Sequence, residues 1–282
     1  MSQANSATRT TSFWPPVLPR EHGSWGTFGG LILATIMVIG VNVDVVLTML
    51  AGTSLFMARE PLSRSVKLRF GRKPKPIPKN LCLWAGVYLL ISGVTGALLV
   101  LNGQLWGLLG LAAAGLVVLT IHLIMAARRL MMTAWGEWIG VLGVSLIIPA
   151  LYLAAHGKLD VNALCLWLIG LIQVTGPIFY IRLKVRTQAR LVQPPAWKQR
   201  IAAAKHLLLF SIISIILIAL CGKYGWAPTY AWIALLPSFI KHVWGTWAWT
   251  PRGQLNIKQL GWIEVGNIIL FALLLAMAYH LF

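Results

Sequence analysis

Negative charge is what this chain has least of: its 282 residues include only six Asp and Glu against 24 Lys and Arg, for a formal net charge of +18. Charge of either sign is scarce at 11%, while 58% of residues are apolar and mean hydropathy is +0.77. That excludes an ordinary soluble domain and a disordered chain, and it describes a membrane protein. The shortage of acids also removes the carboxylate clusters that hold hard metal ions, and no metal site is read from the sequence. Three cysteines, Cys82, Cys165 and Cys221, are odd in number and far apart in or beside apolar runs. They give neither a disulfide framework nor a zinc site and read as small core residues. The basic residues lie between hydrophobic runs rather than along one polar face, so nucleic acid is not the expected partner.

What is present is a succession of apolar runs. A span needs about 20 mostly apolar residues to cross roughly 30 Å of hydrocarbon. By that measure the spans fall near 23–41, 43–58, 81–101, 105–126, 136–155, 162–181, 204–221, 228–246 and 261–281. The expected fold is therefore an all-α polytopic membrane protein of nine transmembrane helices. With the N-terminus inside and the C-terminus outside, every basic residue except Lys158 and Lys223 falls on the cytoplasmic side, as the excess of Lys and Arg in cytoplasmic loops requires. Residues 1–18 read as a disordered polar tail without a signal-peptide cleavage site. Residues 19–282 read as one transmembrane domain with long cytoplasmic loops at 59–80 and 182–203. The expected location is the bacterial cytoplasmic (inner) membrane, and the sequence does not fix an oligomeric state.

The candidate functional groups gather at the expected inner face. Arg20, Glu21 and His22 open the first span in "PREHGSWG" and are read as the rim of a cytoplasmic opening. Glu21, Glu137 and Glu264 each fall in the first turn or so of a span running outward, where the helix dipole alone stabilises a carboxylate by about 0.3–1 kcal/mol. Glu60 follows a helix that ends at the inner face, where a negative charge is unfavourable. It needs a cation, and Arg59, Arg64 or Arg128 can supply one. Gln173, Pro177, Tyr180 and Lys184 form a polar stripe at helical spacing, flanked by Arg182 and Arg186; Glu264 and Asn267 share a face, as do Glu137, Val141 and Ser145. Polar stripes in hydrocarbon face other helices or a cavity, because facing lipid costs several kcal/mol. Each residue also has a structural reading: an interfacial cap, a member of the tryptophan belt, or interhelical glue of about 0.6 kcal/mol. The tryptophans of "VWGTWAWT" (243–250) read as a membrane anchor. His22, His122, His206 and His242 lie near inner span ends; two on facing helices could ligate haem, a minor expectation, and no other cofactor is expected.

Several of these stretches are similar to a known family. "PREHGSWG", "GEWIGVLGVSLIIPALYLA" (136–154) following "ARR", and "FYIRLKVRTQ" (179–188) resemble the YwiC-like family of bacterial integral membrane proteins over most of residues 18–270. That family is defined by sequence and implies no particular reaction. A more distant likeness, of topology alone, is to the UbiA superfamily of intramembrane prenyltransferases, with nine helices and long cytoplasmic loops after the second and sixth. "KPKPIP" (73–78) stands where that superfamily has an Arg-Pro-Leu-Pro-like segment, but the aspartates of its magnesium motifs are missing here, so only a metal-independent reaction fits.

Three functions follow as expectations. The first is a UbiA-like bundle that binds or modifies an isoprenoid, quinone-like or other anionic amphiphile, with Glu21, His22, Glu60 and Glu137 as catalytic candidates. Arg20, Arg64, Arg128, Tyr180, Arg182, Arg186, Glu264 and Asn267 are the ligand-binding candidates. The second is a transporter or permease, with Pro149, Pro177 and Pro237 breaking helices. The third is a non-catalytic lipid-binding or respiratory assembly factor held to membrane lipids by its basic loops.

Overall fold

The computed structural model describes residues 15–19, 22–71, 73–190, 193–250 and 255–281, without the side chain of His22. Helices make up almost all of it, with no strand among the described residues. They are α1 (His22–Ile39), α2 (Val43–Arg69), α3 (Lys79–Leu101), α4 (Gly107–Ala127), α5 (Ala134–Ser145), α6 (Ile147–His156), α7 (Val161–Ile181), α8 (Trp197–Lys223), α9 (Leu236–Trp247) and α10 (Ile257–Leu281). A π-helix, Arg182–Thr187, and a 3₁₀ turn, Gln188–Arg190, extend α7, and a 3₁₀ helix, Ala231–Leu235, precedes α9.

Seven helical segments are long and apolar enough to cross a membrane, with α5 and α6 counting as one, so the chain is a multi-pass membrane protein. The sequence expectation of nine exceeds this because two runs are shorter. The apolar part of α1 covers only Gly23–Ile39, and the eighth run is divided between the 3₁₀ helix and α9. Proline accounts for two of the irregularities. Pro149 has no N–H to donate to the Ser145 carbonyl, and the helix breaks between Ser145 and Ile147. Pro237 begins α9, where a missing N–H costs nothing.

The largest departure from the sequence reading concerns residues 59–69, expected in a loop, which continue α2. No glycine interrupts them, Glu60 and Arg64 pair one turn apart, and Lys67 and Arg69 suit the negative end of the helix dipole. A charged segment ends an apolar run without ending the helix. Residues 182–190, also expected in a loop, are likewise helical. Cys165 and Cys221 are buried, but Cys82 is exposed on α3 rather than in the core. Residues 1–14 of the expected tail lie outside the described residues, whereas Val17 and Pro19 are buried.

Side-chain caps start four helices, with Asn256 accepting from the N–H groups of Lys258 and Gln259 at 3.1 and 3.2 Å at the start of α10. Asn42 accepts from Val45 N–H at 2.8 Å, Thr133 from Gly136 N–H at 3.2 Å, and Asp160 from the N–H groups of Asn162 and Ala163 at 3.0 and 3.1 Å. The Ala163 bond, more than any other influence, holds the Asp160 carboxyl below its ordinary value. The core joins the two ends of the chain: Leu31 of α1, Leu151 of α6, Ile169 of α7 and Phe271 and Leu275 of α10 are all fully buried. α1 comes close enough to α10 that a side chain at Gly30 would collide with Ile268.

Candidate functional site

Two polar groupings and one apolar cavity divide the molecule. The first grouping lies where the start of α5, the end of α7, the start of α8 and the end of α9 meet. Arg182 Nε donates to Glu137 Oε2 at 2.7 Å, and Arg186 lies 3.7 Å from the other Glu137 oxygen while donating to the Met132 carbonyl at 2.8 Å. Lys184, on the buried face of the π-helix, donates to the Ala248 carbonyl at 2.8 Å. Gln188 donates to the Gly245 carbonyl at 2.9 Å and accepts from Thr250 N–H at 3.1 Å. Gly245 itself is needed there, since a Cβ would run into the Tyr180 ring.

The second grouping ties α7, α8, α9 and α10 together within the bundle. Asn267 donates to Ser238, which donates to Gln173, each at 2.8 Å. Lys241 donates to Glu264 at 2.7 Å and lies 5.0 Å from the centre of the Tyr180 ring. Ser211 gives its hydroxyl proton to the Leu207 carbonyl at 2.8 Å, so the 2.7 Å contact with His242 requires the imidazole Nδ1–H to donate. A small cavity of about 20 Å³ lies beside His242, room for about one water.

The stripe expected from helical phase thus does face the interior: Gln173, Tyr180 and Lys184 are buried. It does not line a large cavity. In hydrocarbon an unpaired charge or amide is costly, and nearly every one of these groups has been consumed by a partner on another helix. Glu60 lies within α2 rather than past its end, and it accepts from Arg64, one turn on, at 2.6 Å. Arg128 is exposed. Arg20, Glu21 and the side chain of His22 lie outside the described residues.

The large cavity, about 260 Å³, lies among α1 to α6 instead, and of the residues singled out in the sequence only Arg59 and His122 line it, neither of them among the described catalytic or ligand-binding candidates. Its wall is apolar, from Phe28, Leu55, Leu99, Leu111, Leu119 and Ile147 among others, with few polar members: Thr48, Ser92, Arg59 and His122. Arg59 stacks over Phe56, 5.2 Å from the ring centre, and Phe56 in turn stacks on Phe28 at 4.5 Å. His122 is buried. The signal for this cavity was present in small residues rather than charged ones. Gly52, Gly96, Gly115, Gly140 and Gly143 come from four helices onto one wall, and beside Gly96 and Gly140 the space where a Cβ would stand is open.

The histidine pair expected for haem is not brought together among the described residues. His122 and His242 line separate cavities, and His206 is exposed. No group of three His, Cys, Asp or Glu side chains able to hold a metal occurs among the described residues.

The fold defines a polytopic helical membrane protein whose first six helices enclose an apolar cavity. Residues 18–152 match the family described as YwiC-like protein, just under half of the chain, which bears out the resemblance over that stretch. No curated protein and no solved structure matches. Every residue lining the cavity, from Phe28 to Ala150, falls inside the matched segment.

Proposed function

We propose that the protein holds the chain of an anionic amphiphile, isoprenoid or otherwise linear, in the cavity among α1 to α6, with its head at Arg59 and His122. The cavity carries this reading: it is large, apolar, and polar mainly at one end. A guanidinium binds a phosphate or carboxylate bidentately and stays charged in apolar surroundings. Arg59 sits at the edge of the apolar part of α2, beyond which Arg64, Lys67 and Arg69 follow. In the nine-span, N-terminus-inside threading of a bacterial inner membrane this end faces the cytoplasm, and the distribution of Lys and Arg supports that orientation. A UbiA-like bundle is part of the same proposal and rests on that threading alone. Binding is better supported than catalysis, since Glu60 and Glu137 are each paired with arginine and so are poorly placed as proton acceptors.

The test is lipid identification by mass spectrometry on protein purified in detergent. A single-chain amphiphile should be retained by the wild type and by Arg128→Gln, and reduced about tenfold or more by Arg59→Gln, in line with about 1.5–3 kcal/mol for a hydrogen bond to a charged group. Purified protein carrying only bulk phospholipid, unchanged by Arg59→Gln, contradicts the reading.

A further inference from the structure

The two buried cysteines, Cys165 on α7 and Cys221 on α8, take no part in the polar groupings or in the large cavity. Read from the sequence they are small core residues far apart in the chain. Helix register brings them together. The α7 and α8 helices run antiparallel: Phe179 packs on Phe210 with ring centres 5.1 Å apart, and a Cβ at Gly176 would touch the same Phe210 ring at 3.9 Å. One turn back along α7 from Gly176 and one turn on along α8 from Phe210, Ile172 and Ser214 line one small cavity. Two further turns in the same directions are Cys165 and Cys221. No proline interrupts either stretch, so both cysteines stay on the shared face. They are 3% and 5% exposed within one core cluster, and their thiols interact directly.

Spacing permits a bond between them. Packed helices lie about 8–10 Å apart, with Cα atoms about 2.3 Å from each axis, which leaves roughly 3.5–5.5 Å between the Cα atoms of directly facing residues. A disulfide spans about 4.4–6.8 Å. Cys165 lies near the start of α7 and Cys221 in the last turn of α8, the end of the bundle that the threading proposed above puts outside. Disulfides form and persist on that side of a bacterial inner membrane, and helix ends open more readily than helix centres.

We propose that Cys165 and Cys221 are a dithiol–disulfide pair, oxidised by exchange with a disulfide from the outer compartment, that locks α7 to α8 in one redox state and frees them in the other. The Cys221 thiolate attacks one sulfur of the incoming disulfide and expels a thiolate; the Cys165 thiolate then attacks the Cys221 sulfur of the mixed disulfide and expels the second. Two S–H bonds give way to one S–S bond, and the incoming disulfide leaves as two thiols carrying the two cysteine protons. The Ser211 contact with His242 lies about three turns further along the same interface, so a covalent clamp at the outer end limits separation of the helices around it.

Incubation of the detergent-purified full chain with glutathione disulfide, followed by denaturation, maleimide alkylation and peptide mass spectrometry, tests this. Cys165 and Cys221 should escape alkylation, their peptides should appear joined and two hydrogens lighter than the reduced pair, and dithiothreitol should restore both thiols. Cys165→Ser should stop at the first step, with glutathione held on Cys221. The oxidised wild type should unfold at a higher temperature than the reduced, a shift absent from Cys165→Ser. The wild-type measurement decides the matter whether or not Cys165→Ser folds. Full alkylation of both cysteines after incubation, or their linkage to Cys82 or to a second chain, overturns the proposal, and a Cys165–Cys221 bond that leaves the unfolding temperature unchanged overturns the locking role.

Discussion

Individual charged residues in this bundle are placed by the cost of leaving them alone. Lys241 and Glu264 are only 9% and 18% exposed, and each is the other's counter-ion. Removing one partner leaves a charge in apolar surroundings, a loss of about 3–5 kcal/mol in comparable buried pairs, whereas replacing both by apolar residues is often neutral. Glu264→Gln should accordingly lower stability by about 3 kcal/mol, read as thermal unfolding in detergent, and Lys241→Met with Glu264→Leu should restore most of it. An unchanged single variant would mean the pair contributes nothing. Much of this was legible in the sequence: the phase of Gln173, Tyr180 and Lys184, the shared face of Glu264 and Asn267, and the need of Glu60 for a cation all follow from helical spacing and electrostatics. What spacing could not supply was the partner across the gap. Ser238, Lys241 and His242 share one face of α9 at helical spacing, a face the sequence reading passed over, and Ser238 and Lys241 convert the expected lining of a cavity into cross-links between helices.

At the level of elements, apolar runs locate helices well and their ends poorly. α2 runs eleven residues past the point where its apolar stretch stops, because Glu60, Arg64 and the terminal Lys67 and Arg69 satisfy a helix in water as well as the earlier residues do in lipid. The cavity is likewise a property of elements: it exists because small residues on neighbouring helices face one another. Gly140 on α5 lines it, and a Cβ there would meet nothing within 4 Å. Two outcomes follow. Gly140→Ala should be neutral or stabilising by up to about 1 kcal/mol, the helix-propensity difference between the two residues. Gly140→Phe should fold and fill the space, so amphiphile retained by the wild type should be lost from it. Retention by a folded Gly140→Phe protein would place the ligand elsewhere.

The whole molecule separates two tasks along the chain. Residues from Phe28 to Ala150 enclose space, and α7 to α10 are held together by buried polar bonds with little space between them. The family match covers the enclosing part. Helix class and membrane character were legible from composition and run length, since helices and closed barrels alone satisfy backbone in hydrocarbon and only helices call for continuous apolar runs of about 20 residues. The cavity was not, because a void is made by residues that carry no chemistry, and attention to ionisable groups led toward those already engaged. The central claim is that the ligand chain lies among α1 to α6, and photolabelling tests it most directly. A fatty acid with a diazirine near mid-chain, irradiated on the purified protein and mapped by peptide mass spectrometry, should label the α2 segment 48–59 and the α4 segment 108–122. Labelling confined to α8 and α10, or spread evenly over lipid-facing surfaces, would contradict it.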